Sequence, residues 1–335
     1  MDWGKGFTAS YYANIVDAKT WRDIHPLKLV DGSISRSDTG LRSSADITCT
    51  NYNDGEQYIR IYLDVQQNGR SAHVPMFTGL TSAPSRDIDG TVESNAIECY
   101  SVLKPAEDVL LPRGYYVPAG MDGGLAIKQL LEATPAPVEI VGQPSALQSA
   151  LIAEDGENHL SMADKVLTAI NWRMRILGDG TIQILPLATT TDKTFDPIKV
   201  DVIEPVLKIT KDWYSCPNVF RAVSDDLYSV ARDDDPNSPL STINRGREVW
   251  EEETGVSLNS GESIAEYAIR RLKELQQIET VASYKRRYDP DVLVGDLVRL
   301  NYPKQKMQGQ YRITSQRITL GNGCTTEEEV EYVDK

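Results

Sequence analysis

The chain has 335 residues, enough for two or three domains of ordinary size. Its 35 Lys and Arg residues against 49 Asp and Glu residues give a formal net charge of −14. This charge argues against a protein that binds nucleic acid or an anionic membrane, because both partners require a positive surface. Charged residues form 25% of the chain, the ordinary share for a folded protein, so we expect globular domains.

The apolar and cysteine residues indicate the cell compartment in which the protein is made. The longest apolar run has four residues, 150–153, whereas a helix that spans a bilayer needs about 20. The first residues carry no apolar segment of the kind that directs secretion, so we expect neither membrane insertion nor a cleaved signal. The four cysteines lie at least 50 residues apart and are predicted to be free thiols in a protein made in a reducing cytoplasm.

The first 104 residues are predicted to form about six strands joined by tight turns. Candidate strands cover 7–16, 27–35, 58–65, 74–80 and 91–103. The turn signals are Asp31-Gly32, Asn68-Gly69 and Asp89-Gly90. In 58–65 the odd-numbered positions are apolar, whereas Arg60 and Asp64 occupy even-numbered ones, which predicts a half-buried strand. No long helical pattern interrupts this region, so a small antiparallel barrel or sandwich is expected.

Residues 105–195 have a mixed pattern that predicts an α+β domain. Apolar residues at helical spacing predict a short helix over 124–133 and a second helix that begins at Ser161. Ser161 and Asp164 have the spacing of a capping box, in which side chains satisfy the exposed N–H groups of the first turn. Alternating residues on either side of Gly178-Asp179-Gly180 predict a hairpin.

Residues 196–335 return to a strand-rich pattern with one long helix. Candidate strands cover 206–209, 218–223, 246–251, 280–288, 297–302, 310–320 and 325–333. Ile264, Ala268, Leu272 and Leu275 share one face of a helix predicted over 263–278. The last strands repeat some turn and strand motifs of the first region faintly, which raises the hypothesis that one barrel was duplicated.

The sequence carries no strong catalytic or cofactor-binding motif. His25, His73 and His159 share no helix face and form no HExxH motif, which argues against a zinc hydrolase. A GxSxG nucleophile elbow, a GxxxxGK[ST] phosphate loop and a GxGxxG motif after a strand are all absent from the sequence. We therefore predict no catalytic residue, no cofactor site and no metal site.

One acidic loop has a partial metal-binding pattern. Asp233, Asp235 and Asn237 have the i, i+2, i+4 spacing of calcium ligands. A calcium loop continues with Gly and ends on a bidentate Glu, whereas this loop continues with Ser238 and reaches Asn244 at its twelfth position. A solvated acidic loop is therefore expected, with a weak cation site as the alternative.

Two other functions stay open at this point. Acids such as Asp108, Glu251 and Glu252 would suit a cell-wall hydrolase if two carboxylates faced each other about 5–10 Å apart. Clustered exposed aromatic residues would suit a module that binds a carbohydrate or a receptor, but the five Trp residues are scattered along the sequence.

The order of several short motifs resembles the tail hub, or baseplate hub, proteins of bacteriophages and the related hubs of contractile injection systems. In the last third the motifs are Asn218-Val219-Phe220-Arg221-Ala222-Val223, Arg245-Gly246-Arg247, a helix from Ser263, Tyr288-Asp289-Pro290-Asp291, Val294-Gly295-Asp296-Leu297-Val298 and residues 311–320. Phe77-Thr78-Gly79-Leu80, Tyr100-Ser101-Val102-Leu103-Lys104 and Leu111-Pro112-Arg113-Gly114 are similar to the opening domain of hubs from phages of Gram-positive hosts. The resemblance spans nearly all of the chain.

The resemblance implies an architecture and a set of partners. Two tube-like antiparallel β-barrel domains, 1–104 and 196–335, would flank a smaller α+β domain, 105–195, in a mainly β fold with an α+β insert. Three chains would form a homotrimer whose six barrels dock onto a sixfold tail tube or distal tail ring, with a tape measure protein nearby. The other face would receive a threefold spike or tail fibre at the tip of the virion.

The resemblance also implies a structural role, because it supplies no catalytic residue. DNA would pass through the hub only in transit, and carboxylates lining a channel would repel its phosphates; an acidic outer surface would explain the charge equally well. The alternatives are a tail-tip module that binds a receptor or carbohydrate, and a carboxylate-based cell-wall hydrolase.

Overall fold

Strands are far more abundant than helices in the described residues, in agreement with the predicted mainly β class. The computed structural model describes residues 1–52, 55–89, 92–196, 208–211, 213–224, 227–254, 256, 263–276, 280–305 and 307–333. The chain divides into two compact units, one formed by Met1–Leu207 with Ser283–Lys335 and the other by Lys208–Ala282. The division into three domains at residues 104 and 195 stays a prediction.

The elements are numbered in chain order. The strands are β1 (Thr8–Val16), β2 (Asp23–Ser37), β3 (Ser43–Thr50), β4 (Tyr58–Gln67), β5 (Arg70–Thr81), β6 (Ser85–Asp89), β7 (Val92–Ser101), β8 (Tyr116–Val117), β9 (Val138–Ile140), β10 (Leu151–Ile152), β11 (Trp172–Ile176), β12 (Ile182–Pro186), β13 (Thr191–Phe195), β14 (Lys208–Lys211), β15 (Val219–Ser224), β16 (Leu227–Arg232), β17 (Trp250–Thr254), β18 (Thr280–Arg287), β19 (Leu297–Tyr302), β20 (Met307–Leu320) and β21 (Thr325–Tyr332). The α-helices are α1 (Lys104–Asp108), α2 (Gly123–Leu130), α3 (His159–Ile170), α4 (Thr242–Arg245) and α5 (Ile264–Leu275), and Pro303–Gln305 forms a 3₁₀ turn.

In the first unit, six strands pair in a closed cycle, β1-β4-β5-β7-β3-β2, because β2 also pairs with β1. All of these pairings are antiparallel. Apolar side chains such as Ala13, Ile34, Ile61 and Ile97 form one buried cluster within these strands. A closed cycle leaves no strand edge unpaired in the region where the strands overlap.

The predicted turns of the first region have different outcomes. Asn68-Gly69 is confirmed as the turn between β4 and β5, and both residues have positive φ. The hairpin turn predicted at Asp31-Gly32 is wrong, because β2 runs through these residues with only a register shift between Leu29 and Asp31. A Cβ on Gly32 would lie 2.8 Å from the Asp46 carbonyl oxygen, so glycine permits close approach of β3 there. The Asp89-Gly90 turn includes a residue outside the described part.

The last strands join the same sheet as the first. Strand β20 pairs with β2 along Gly32 to Ser37, and with β19 and β21 along other parts of its length. Strand β21 pairs in turn with β18, and β13 adds to β19 in parallel. Residues from both ends of the chain therefore share one hydrogen-bonded framework.

The predicted middle helices are observed with shifted starts. Helix α2 begins at Gly123, where the Asp122 side chain accepts from the Leu125 N–H at 2.9 Å. Helix α3 begins before Ser161, so the predicted capping box is wrong: Asn158 is the cap and accepts from the Ser161 N–H at 2.8 Å. The two helices pack on each other around Ile127, Val166 and other buried apolar residues.

The predicted hairpin through Gly178-Asp179-Gly180 is confirmed as β11–β12, and its tip packs on strands β4 and β5. The carbonyl oxygen of Asp179 accepts from Arg60 Nη2 at 3.0 Å, and that of Gly178 accepts from Thr78 Oγ1 at 2.8 Å. The prediction that 58–65 is half-buried is therefore wrong for its first half, because the hairpin tip covers Arg60.

The second unit has a three-stranded sheet in the order β16-β15-β17, with helix α5 packed on one face. Helix α5 starts after Ser263, whose side chain forms a capping box with Glu266, and the last predicted residues of this helix, 277–278, lie outside the described part. The strand predicted over 246–251 begins at Trp250, because Gly246 ends helix α4 with φ of +61°. Of the strand predicted over 206–209, the described part contains the end as β14.

Among the helices of the described residues, none is both long and apolar enough to cross a membrane.

A buried ion pair joins strands β18 and β21. Arg286 and Glu328 are 1% and 0% exposed in their side chains, and Arg286 Nη2 donates to Glu328 Oε1 at 2.5 Å. Glu328 also accepts from the Tyr284 hydroxyl and from Gln316 Nε2, both at 2.6 Å. Burial and the Glu328 carboxylate raise the pKa of Tyr284 well above its ordinary value, so the phenol remains a hydrogen-bond donor.

Replacing Glu328 by Gln should lower the free energy of unfolding by about 3–5 kcal/mol, because the buried Arg286 would lose the carboxylate with which it forms an ion pair. Urea unfolding followed by circular dichroism measures the difference. The matched control is Glu327→Gln at the exposed neighbouring position, which should change stability by less than about 0.5 kcal/mol. Equal effects of the two substitutions would contradict the assigned role of the ion pair.

Replacing Gly178 by Ala should destabilise the first unit by about 1–3 kcal/mol, because the added Cβ would lie 1.8 Å from the Pro75 carbonyl oxygen. Gly321→Ala is the control, since a Cβ there meets no atom within 4 Å. The urea midpoints of both variants provide the comparison. A Gly178→Ala variant as stable as Gly321→Ala would show that the hairpin tip does not pack as described.

Candidate assembly surface

The three histidines lie apart and form no shared site. His73 Nδ1 lies 2.7 Å from Asp64 Oδ1, and its ring stacks on Tyr62 with centroids 4.5 Å apart. His159 Nδ1 lies 3.0 Å from the Leu130 carbonyl oxygen, and His25 is exposed on β2. The three imidazoles therefore do not share one site.

The acidic loop uses its carboxylates to hold its own backbone. Asp233 accepts from the Asp235 N–H at 3.1 Å and from Ser238 Oγ at 2.6 Å, and Asp235 accepts from the Asn237 N–H at 2.8 Å. These bonds stabilise successive turns, as short acidic side chains commonly do. In the described part of the chain, no group of three or more His, Cys, Asp or Glu residues is placed to hold a metal ion.

The acids considered for hydrolysis do not converge. Asp108 pairs with Lys104 in the same helix at 2.7 Å. Glu251 and Glu252 are successive residues of β17, so their side chains point to opposite faces of the sheet. Glu252 forms an ion pair with Arg221 on β15. These three residues therefore do not form a carboxylate pair across a cleft.

The face of the second unit's sheet that points away from α5 is the most distinctive exposed surface. Strand alternation places Phe220, Ala222 and Ala231 against the helix, where they are buried with Tyr267 and Leu272. The residues between them point the other way. We call this opposite side the outer face. Val219 lies on this side of β15 but is buried; the accessible members are Arg221, Val223, Tyr228, Val230, Arg232, Trp250, Glu252 and Thr254.

The outer face combines exposed apolar side chains with ion pairs. Tyr228 is 71% exposed and Trp250 is 51% exposed, at opposite ends of the face. The Arg221–Glu252 pair lies between them, and Arg232 pairs with Glu248 at 2.6 Å. Hydrogen bonds from the Trp250 indole and from Arg232 hold the pKa of Glu248 below its usual range, so its carboxylate is charged at neutral pH.

This combination is typical of a surface that contacts another protein. Aromatic residues and arginine are enriched in protein interfaces, because they supply large contact areas and directed hydrogen bonds. The five tryptophans are scattered along the sequence, so their spacing did not predict this face. The missing information was the register that aligns β16, β15 and β17, which places Trp250 beside Val219 and Tyr228 beside Val223.

Replacing Tyr228 by Ser should change the free energy of unfolding by less than about 0.5 kcal/mol, because the side chain is mostly exposed. Replacing Phe220 by Ala, on the face covered by α5, should cost about 3–5 kcal/mol. Denaturant unfolding of the two variants distinguishes the faces. A large loss for Tyr228→Ser would mean that its ring supports the fold and does not serve a partner.

Comparisons with known proteins give a consistent result for the fold. No protein-family model and no curated protein matches the sequence. Among solved structures, a tail protein from Neisseria meningitidis superposes with a TM-score of 0.65 and 14% identity over 98% of this chain and 97% of that one. The 43 kDa tail protein of prophage MuSo2 from Shewanella oneidensis gives a TM-score of 0.62 and 12% identity over 96% and 97% of the two chains.

A third match comes from a complex of two Francisella proteins. A chain of the Francisella PdpA–VgrG complex superposes with a TM-score of 0.60 and 7% identity over 98% of this chain and 58% of that one. Identities this low establish similarity of fold alone. The fold resemblance to phage tail proteins that the motif order predicted is therefore confirmed, and it extends over nearly the whole chain.

Proposed function

We propose that the chain is a structural tail hub of a bacteriophage. The observation that carries the proposal is the similarity of fold to phage tail proteins over 96–98% of the chain. The absence of a catalytic motif from the sequence agrees with a role without enzymatic activity. The hub would be a rigid adaptor whose surfaces join other tail components.

The proposed architecture is a pair of tube-like β-barrels around an α+β region. The closed cycle of six strands supports the first barrel. The last strands, β18 to β21, extend the same sheet and would supply a second barrel. In a homotrimer the six barrels would form a pseudo-sixfold ring, which matches a sixfold partner on one face and leaves threefold symmetry on the other.

The proposed partners follow from this geometry. The sixfold face would contact the tail tube or distal tail ring beside the tape measure protein, and the threefold face a spike or tail fibre, at the tip of the virion. The match to a chain of the Francisella PdpA–VgrG complex supports association with other components. DNA would contact the hub only during transit, and the net charge of −14 disfavours lasting binding of its phosphates.

The outer face supports a second candidate, a tail-tip module that binds a receptor or a carbohydrate. Tyr228 and Trp250 are exposed aromatic side chains on one sheet surface, which such a module would use. The hub proposal assigns the same surface to a neighbouring protein chain. The two candidates differ in whether the chain self-associates.

Light scattering of the full chain across a concentration series tests the hub. The proposal predicts a species of about 112 kDa, three times the 37.3 kDa of one chain, whose fraction grows with concentration. Tyr228→Ser serves as a folded variant that reports whether the outer face contributes to association. A chain that remains monomeric at all concentrations, but is stabilised thermally by a carbohydrate, would contradict the hub and favour the binding module.

A further inference from the structure

Two turns of the first unit carry an asparagine that is followed by glycine. Asn68-Gly69 joins β4 to β5, and Asn322-Gly323 lies between β20 and β21. Both asparagines are exposed. Asparagine is a chemically labile residue, and its amide reacts most readily when glycine follows, because glycine has no Cβ to shield its backbone nitrogen. The fold therefore presents two sites at which the same covalent change can be compared.

The two glycines are equally open to reaction. Outside the neighbouring residues in the chain, a Cβ added to Gly69 or to Gly323 would meet no atom within 4 Å. The φ angles are also similar, +75° at Gly69 and +89° at Gly323. The difference between the two sites lies in how firmly the surrounding residues hold each turn.

The turn at Asn68 projects from the end of the β4–β5 ladder. The last pair of the ladder is Gln67 with Arg70, so Asn68 and Gly69 lie outside it. Arg70 and both tip residues are exposed, and Asn68 has a φ of +49°, as in the tight turns that favour Asn-Gly. The two tip residues can change conformation without uncovering a buried side chain, and local openings of this kind cost little free energy.

The turn at Asn322 is held on both sides. The Cys324 N–H donates to the Gly321 carbonyl oxygen at 3.1 Å, and the Tyr11 hydroxyl donates to the same oxygen at 2.8 Å. Cys324 is fully buried, and its carbonyl oxygen accepts from the Tyr288 N–H at 2.9 Å. A rotation of the backbone at Asn322 would disturb these bonds, so the same reaction costs more free energy there.

We propose that Asn68 is a site of spontaneous covalent modification, at which the side-chain amide is converted into a carboxylate, and that the fold protects Asn322 from this reaction. The Gly69 nitrogen attacks Asn68 Cγ and forms a five-membered imide. The amide nitrogen leaves as ammonia, which takes up the proton of the Gly69 N–H. Water then adds to one of the two imide carbonyl groups and opens the ring to aspartate or isoaspartate. Water is the only co-reactant, and no oxidant or reductant is needed.

Isoaspartate at this position would change the turn. It carries the main chain through its side-chain carbons, which lengthens a turn of two residues, and such turns set the register of a hairpin. The preceding residue, Gln67, contacts the start of the chain: its Oε1 accepts from the Asp2 N–H at 2.9 Å, and its Nε2 donates to the Asp2 carbonyl oxygen at 2.8 Å. The modification would therefore disturb both the end of the β4–β5 ladder and these contacts with the first residues.

Peptide mapping by mass spectrometry tests the proposal on the full chain, kept warm at mildly alkaline pH. In the folded protein, Asn68 should be converted at least about fivefold faster than Asn322. In urea the two sites should react at similar rates, because both then precede an accessible glycine. Labelling by an isoaspartate-specific methyltransferase identifies the product at Asn68.

One variant tests the protection of Asn322. Tyr11→Phe removes the hydroxyl that donates to Gly321, and it should raise the rate at Asn322 about two- to tenfold, as expected for the loss of one hydrogen bond. The rate at Asn68 should not change. Tyr12→Phe, at the next position of β1, is the matched control and should leave both rates unchanged. Circular dichroism confirms that both variants fold.

Three results would overturn the proposal. The first is an Asn68 that stays intact in the folded protein while the chain in urea is converted. The second is an Asn322 that reacts as fast as Asn68 in the folded protein. The third is an unchanged rate at Asn322 in a folded Tyr11→Phe variant, because the contacts described would then not protect it. None of these measurements requires a partner or a trimer.

Discussion

The first unit depends on one carboxylate that has no contact with water. Glu328 accepts hydrogen bonds from Arg286, Tyr284 and Gln316, and Gln316 also receives a bond of 3.5 Å from Arg36. These residues belong to β18, β20, β21 and β2, so one polar network fixes how the last strands lie beside the first. Because a buried charge is tolerated only with its partners in place, the network also specifies the strand register.

The hairpin β11–β12 holds the middle region in place through hydrogen bonds to its backbone carbonyl oxygens and through ion pairs of its arginines. Its tip accepts hydrogen bonds from Arg60 and from the Trp21 indole, at 3.0 Å each. At its base, Arg173 and Arg175 both pair with Asp296 in the turn before β19. The middle region is thereby tied to the first and the last strands of the unit.

Local patterns in the sequence predicted local structure well. Alternation and glycine turns predicted the β11–β12 hairpin and the Asn68-Gly69 turn, and apolar residues at helical spacing predicted α5. Two errors were local, because Asn158 rather than Ser161 caps α3 and because Gly246 ends α4 where a strand was predicted. Other errors came from contacts between distant residues. Asp31-Gly32 has the composition of a turn but lies within a strand, because β3 passes close to Gly32. The outer face depends on strand pairings that sequence spacing does not encode.

In the proposed role the chain is a rigid adaptor, whose framework is fixed by buried polar contacts and whose outer face is available to neighbouring chains. Electron cryo-microscopy of the concentrated full chain tests this claim most directly. The account predicts threefold particles in which six barrel-like densities surround a central channel. Particles without threefold symmetry, or trimers whose strands do not surround a channel, would contradict it.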